Sequence, residues 1–282
     1  MADSPEPQTL RYLIWLYSAP LERAPLAALC ELEREIASSL RAGMDHLVAH
    51  TRLAWWREEC LRCDAGNPQH PLTRELLAAR AAPGRGTGAG AAAGLSGLVE
   101  NAAWDLAAAT FETRAELEAY CRRWAAAMIA PLAPSGAAPQ AAPEGVWLDL
   151  GGAVREIELL TELAPDAARG RIRLPLDELD AAGVPLASLA RPPWSGALPR
   201  LLRERVRALR PQLARAVAQV PPALQPSARG ALIWAALASQ AARRLERALP
   251  HPTRPAGASA LAASWRAWRA ARAAMAGRLR LP

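Results

Sequence analysis

Apolar residues recur along most of this chain at intervals of three and four, the spacing of one helix face. Leu26, Leu29, Leu32, Ile36 and Leu40 form such a stripe and predict a helix over 26–40. A shorter apolar run, 9–18, predicts a first helix closed at Pro20. Further helices are predicted over 45–63, from His70 onward, and over 98–132, 146–164, 198–220 and 226–249, with a last one in the tail from Ser264. Asn67 or Thr73 is a candidate cap near His70, and Thr113 with Glu116 fits a capping box. Pro165 is expected to stop the 146–164 helix, because proline has no N–H to give and pushes its predecessor out of the helical region. Pro211 is expected to kink or restart the helix over 198–220. The stretches 82–97, 133–145 and 190–199 are rich in Gly, Ala and Pro and read as connectors. The glycines of 82–97 match neither a phosphate loop nor a dinucleotide fingerprint.

Ala and Leu are strong helix formers and β-branched residues are scarce, so the predicted class is all-α. A chain of 282 residues with 51% apolar content has enough material for a substantial core. All 34 basic residues are arginine, and the net charge of +7 suits phosphates, anionic lipid or nucleic acid without choosing among them. The arginines are dispersed and no recognition motif appears, so no nucleic-acid partner is expected. Cys30, Cys60, Cys63 and Cys121 show no disulfide framework. The C-x-x-C at 60–63 lacks a second pair or histidines at zinc spacing. No apolar run reaches bilayer length, and the polar, acidic start is unlike a secretory signal. The expectation is a cytoplasmic protein with reduced cysteines, the inner-membrane surface remaining open as a docking place.

Three passages carry more specific information. Residues 168–184 read A-R-G-R-I-R-L-P-L-D-E-L-D-A-A-G-V. Residues 52–61 read R-L-A-W-W-R-E-E-C-L, and 104–121 hold W-D-L followed by F-E-T-R-A-E-L-E-A-Y-C. The chain from Leu26 to about Leu249 resembles the squalene/phytoene synthase family in these passages and in their order. The resemblance implies one isoprenoid-synthase domain over 1–282, with helices around a central cavity. The implied activity is head-to-head condensation of two prenyl diphosphates through a carbocation. Magnesium, held by aspartates on two facing helices, would assist diphosphate departure.

This sequence departs from the family at both metal motifs. Aligned on Cys30, it offers Arg34, Glu35 and Ser38 where the first motif carries aspartates. Glu31 and Glu35 remain one turn apart and read either as a substitute metal site or as a solvated acidic face. In the second motif stand Glu158, Glu162 and Asp166, with Pro165 between the last two. The implied metal set is therefore Glu31, Glu35, Glu158, Glu162 and Asp166, with Glu31/Glu35 and Glu158/Glu162 expected to face one cavity. Arg52, Arg169, Arg171 and Arg173 are the candidate diphosphate ligands, at least one of the last three near the cavity mouth. Trp55 and Trp56 either pack or line a prenyl tunnel, and His70 caps or packs. Loss of several ligands together resembles the diverged branch that includes the mitochondrial respiratory complex I assembly factor. Two readings follow: a synthase with a glutamate-adapted magnesium site, or a non-catalytic relative that binds a prenyl lipid, a membrane or a protein. The tail, with Trp265, Trp268, Arg269 and Arg272 at helical spacing, suits either a docked last helix or an anionic membrane surface.

Overall fold

Proline and side-chain caps set most helix starts in the computed structural model, which describes residues 5–6, 9–41, 43–81, 94–134, 142–143, 145–252 and 260–282. The connector readings over 82–93 and over most of 133–145 lie outside these residues, as does most of the N-terminal octapeptide. Helix α1 (Leu10–Tyr17) begins where Thr9 Oγ1 accepts the N–H of Tyr12 at 3.1 Å. Helix α2 (Pro20–Ala37) starts at Pro20 rather than at Leu26. Proline suits a first helical position, where its missing N–H has no partner to lose, and Glu22 accepts the Ala19 N–H at 2.7 Å. Helix α3 (His46–Asp64) is capped by Asp45, and α4 (Pro71–Arg80) by His70, whose Nδ1 accepts the Leu72 N–H. Thr73 does not cap; it is buried and donates to the buried carboxylate of Glu59.

Helices α5 (Ser96–Leu106) and α6 (Arg114–Met128) follow. The expected box at α6 does not form: Thr113 makes no side-chain cap, and Glu116 accepts the N–H of Glu112, one residue before the cap, instead of that of Thr113. Helix α7 (Val146–Thr161) ends one turn earlier than expected, and α8 (Leu163–Ala168) takes Pro165 into its own first turn. Pro165 has no N–H for the Thr161 carbonyl, so the break falls at Glu162, and the proline sits where no intrahelical bond is required of it. After α9 (Leu176–Ala181) and α10 (Leu186–Leu189), helix α11 (Leu198–Gln219) runs unbroken through Pro211. That proline is exposed, so water can take the carbonyl it leaves free. Helices α12 (Arg229–Ala248) and α13 (Ala260–Met275) complete the chain. No strand occurs among the described residues, and the fold is all-α.

One continuous apolar core runs from Leu13 to Leu279. Helix α7 lies at its centre, packed on α6, α11 and α12. Gly151 lets α6 and α7 meet closely, since a Cβ there would stand 2.6 Å from that of Ala125. The start of α12 clasps the α1–α2 joint: the Gly230 N–H reaches both Glu22 oxygens, and Arg229 donates to the carbonyls of Tyr17 and Ser18. This packing brings α1, α2, α6, α7 and α12 around one central volume.

Candidate functional site

That volume is filled by charge. Arg11 on α1 reaches Glu33 on α2 at 3.0 Å and Glu158 on α7 at 3.7 Å. Each carboxylate also accepts an indole N–H, Glu33 from Trp124 at 2.7 Å and Glu158 from Trp234 at 2.8 Å. Arg155 adds a second guanidinium, 3.2 Å from Glu158. The Arg11 guanidinium lies 3.9 Å from the centre of the Trp234 ring, and the two tryptophans meet edge to face at 5.2 Å. Burial works against the Arg11 and Arg155 charges. It is outweighed for Arg11 by Glu33 and Glu158, and for Arg155 by Tyr120, Glu158 and Glu33, so both cations are held more firmly protonated than usual. Burial pushes the neighbouring Cys30 thiol up to about 12, so it is neutral at physiological pH.

A second cluster stands behind the first. Arg173 is 4% exposed and clamps two aspartates: Asp105 on α5 through both terminal nitrogens, at 2.6 and 3.1 Å, and Asp166 on α8 at 2.8 Å. Tyr120 donates to Asp105 at 3.2 Å. Between the clusters lies a cavity of about 80 Å³, lined by Glu33, Leu98, Asp105, Tyr120, Trp124 and Arg155.

The expected site residues do not converge on this volume. Glu31 and Glu35 both bind Arg34 on the outer side of α2, and the guanidinium holds the Glu31 carboxyl below its ordinary range. Of the four glutamates expected to share one cavity, only Glu158 faces the centre. Its partner there is Glu33, while Glu162 caps α7 and is exposed. Asp166 is held by Arg173, with Arg169 at 3.7 Å. Arg169 is exposed, Arg171 is half-buried, and Arg173 is locked between its aspartates rather than free at a mouth. Arg52 donates to the Ser38 hydroxyl at 2.9 Å. Trp56 is buried against Trp55 and His70, and Trp55 is half exposed; neither lines the central cavity.

A magnesium ion would be held by several convergent oxygens. Among the described residues, no three His, Cys, Asp or Glu side chains converge in that way. The two central carboxylates are engaged by arginine and indole donors, so the residues present do not fit the metal. Sequence reading missed Arg11, Glu33, Asp105 and Arg155. The signal was present for Glu33, which lies four residues after Leu29 and three before Ile36, on the apolar stripe itself.

The squalene/phytoene synthase family model matches residues 7–269. Among solved structures, the fold is similar to that of a dehydrosqualene synthase in complex with ligand. That likeness has a TM-score of 0.67 at 16% identity, over 94% of this chain and 89% of that one. It is also similar to squalene synthase HpnC from Alicyclobacillus acidocaldarius, with a TM-score of 0.60 at 19% identity, over 83% and 87% of the two chains. No curated protein matches the chain.

Proposed function

Since the chain belongs to the squalene/phytoene synthase family, we propose that it is a non-catalytic member of it, a helical scaffold rather than a reaction chamber. The observation that carries this is the central cluster, in which Arg11 and Arg155 occupy the ground between Glu33 and Glu158. Two unit charges 4 Å apart interact by about 4 kcal/mol at an effective dielectric of 20. A divalent ion entering beside two fixed guanidiniums therefore meets a repulsion of several kcal/mol, while its prospective ligands are already bonded elsewhere. The central space points the same way. At about 80 Å³ it is smaller than the roughly 300–1,000 Å³ typical of ligand pockets.

The glutamate-adapted alternative needs Glu31, Glu35, Glu158 and Glu162 to share one ion. Glu31 and Glu35 are tied to Arg34 on the outer side of α2, and Glu162 is exposed. A scaffold of this kind acts through its outer surface, in keeping with the resemblance to the diverged assembly-factor branch. The test is incubation of the purified chain with magnesium and farnesyl or geranylgeranyl diphosphate, followed by extraction of apolar products. No head-to-head product is expected. Steady turnover above the protein-free control overturns the proposal and restores the synthase. Returning Arg34 and Ser38 to aspartate with Pro165→Glu is expected to remain inactive, because Arg11 and Arg155 still fill the centre.

A further inference from the structure

Helix α13 is packed inside out. Its small residues, Ala267, Ala270, Ala271 and Ala274, are buried against α12 and α1. Its large apolar residues face outward: Leu261 is 80% exposed, Trp265 55%, Trp268 41% and Met275 57%. These four follow a spacing of four, three and seven residues, so they form one stripe along the exposed face. Burying apolar surface is the main drive of folding, and a helix that turns two tryptophans to solvent while seating alanines leaves its largest apolar groups for another phase.

Charge says which phase. All 27 acidic residues lie at or before Glu246, together with 27 of the 34 arginines. The first 246 residues are therefore neutral as a whole, and the segment after Glu246, with seven arginines and no acid, carries the entire net charge of +7. On α13, Arg269 lies over the Trp265 ring at 4.8 Å and Arg272 over the Trp268 ring at 5.2 Å. Neither has a carboxylate partner among the described residues. Beside Trp268 and Met275 a groove of about 540 Å³ opens between α13 and the end of α1, and Arg23, Arg229 and Arg272 contribute to its walls.

We infer that α13 is the docking face of this protein for an anionic lipid bilayer, with Leu261, Trp265, Trp268 and Met275 entering the headgroup region and the arginines meeting lipid phosphates. Tryptophan, with an apolar body and one N–H, is suited to that boundary, and arginine to phosphate. The helix would lie along the surface, since no helix among the described residues is long and apolar enough to cross a membrane. A second copy of the chain is the poorer occupant. A two-fold contact would set the same uncompensated arginines against one another. The inference is independent of whether the centre catalyses, so either reading can fail without the other.

The test is co-sedimentation of the full chain with vesicles of phosphatidylcholine alone and with phosphatidylglycerol added. Binding is expected only to the anionic vesicles, and it should weaken as NaCl rises from about 0.05 to about 0.5 M. Trp265→Ser with Trp268→Ser is expected to lower partitioning by about tenfold through lost apolar insertion. Arg269→Gln, Arg272→Gln and Arg278→Gln together should lower it by about a hundredfold and flatten the salt dependence. Near-ultraviolet circular dichroism of the variants checks that they remain folded. Four results overturn the proposal: no binding to anionic vesicles; equal binding to neutral ones; binding unchanged in both variants; or a dimer, seen by light scattering, that dissociates in the tryptophan variant. Duplex DNA binding that is lost in the same variants, without vesicle binding, overturns it in favour of a nucleic acid.

Discussion

Tryptophan and arginine meet at the centre of this molecule and again along α13 on its rim, with a separate contact between Arg23 and Trp15. At the centre, Arg11 lies against Trp234, and Glu33 and Glu158 close the charge. On the rim, Arg269 and Arg272 lie against Trp265 and Trp268 with no carboxylate partner among the described residues. A cation over an indole face contributes about 0.5–1 kcal/mol at an exposed site and more when water is excluded, so the ring contact alone does not separate the two regions. The carboxylates do. A neutralised cluster between five helices holds its parts together and has little to offer a ligand. An uncompensated pair on an exposed apolar helix keeps its charge available to something outside. The difference teaches where to look for function in this chain: the central carboxylates are already bonded to arginine and indole donors, and the rim arginines have no such partner among the described residues.

The comparison can be broken most easily at the clamp behind the centre. Arg173→Leu removes the guanidinium that bridges Asp105 and Asp166. It leaves two buried carboxylates whose only other cation contact among the described residues is the longer one from Asp166 to exposed Arg169. Breaking a buried pair by removing one partner typically costs about 3–5 kcal/mol. Urea unfolding should show a loss of that order with little change in slope. A loss below 1 kcal/mol would mean that the clamp is not what fixes the α5–α8 contact.

This clamp also shows how far the sequence can be read. The helix stripes and the family passages are legible because they rest on spacing, which one sequence displays. The site is harder, because which side of a helix faces the centre depends on a rotation of a single residue position. Glu35 falls at a family aspartate position with Glu31 one turn before it, yet Glu33 between them faces inward. Arg173 reads as a basic loop residue until α5 brings Asp105 to it from 68 positions away. Charge partners so distant leave no trace in local pattern. The tail differs: its inward alanines and outward tryptophans both have helical spacing, and only packing against α1 and α12 decides which set is buried.

The next test acts on the centre itself. Glu33→Gln with Glu158→Gln keeps the shapes and removes both negative charges, leaving Arg11 and Arg155 without counter-ions. Hydrogen bonds to charged groups contribute about 1.5–3 kcal/mol, and partial solvent access here favours the lower end, so a net loss of about 2 kcal/mol is expected. The sign is the informative part. Residues held in place for catalysis are often destabilising, and their neutralisation then raises stability. A higher melting temperature in the double variant would therefore count against the scaffold and for a working site.

Alkaline pH gives a smaller and graded effect. Burial raises the Cys30 thiol to about 12 and raises that of Cys121 as well, so both are protonated in the folded state at a pH where the unfolded chain has lost those protons. The folded state then binds more protons than the unfolded one, and stability falls as pH rises above the ordinary cysteine range, near 8.5–9. Below that range the contribution is fully present. Each thiol adds a slope of about 1.4 kcal/mol per pH unit until its folded value is reached. Melting temperatures from pH 8 upward should therefore decline, and Cys30→Ala should reduce the slope. An unchanged slope would show that Cys30 is solvated rather than packed against the central cluster.

The smallest effect is expected where the exposed surface is most unusual. Trp265→Ser with Trp268→Ser removes two large side chains, and in a core that change would cost several kcal/mol. Here the rings lie on the outer face of α13, and the burial that holds the helix comes from Ala267, Ala270, Ala271 and Ala274. What the fold loses is limited to two exposed cation–ring contacts and some shielding of the groove beside α1. The expected change is within about 0.5 kcal/mol, as for surface positions generally, and the melting temperature should hardly move. Ala271→Leu supplies the opposite control. It adds volume on the buried seam, where overpacking costs about 1–3 kcal/mol. If the tryptophan variant proved the less stable of the two, the rings would belong to the fold. The rim would then be a second core site, and its charge would have no claim on a membrane.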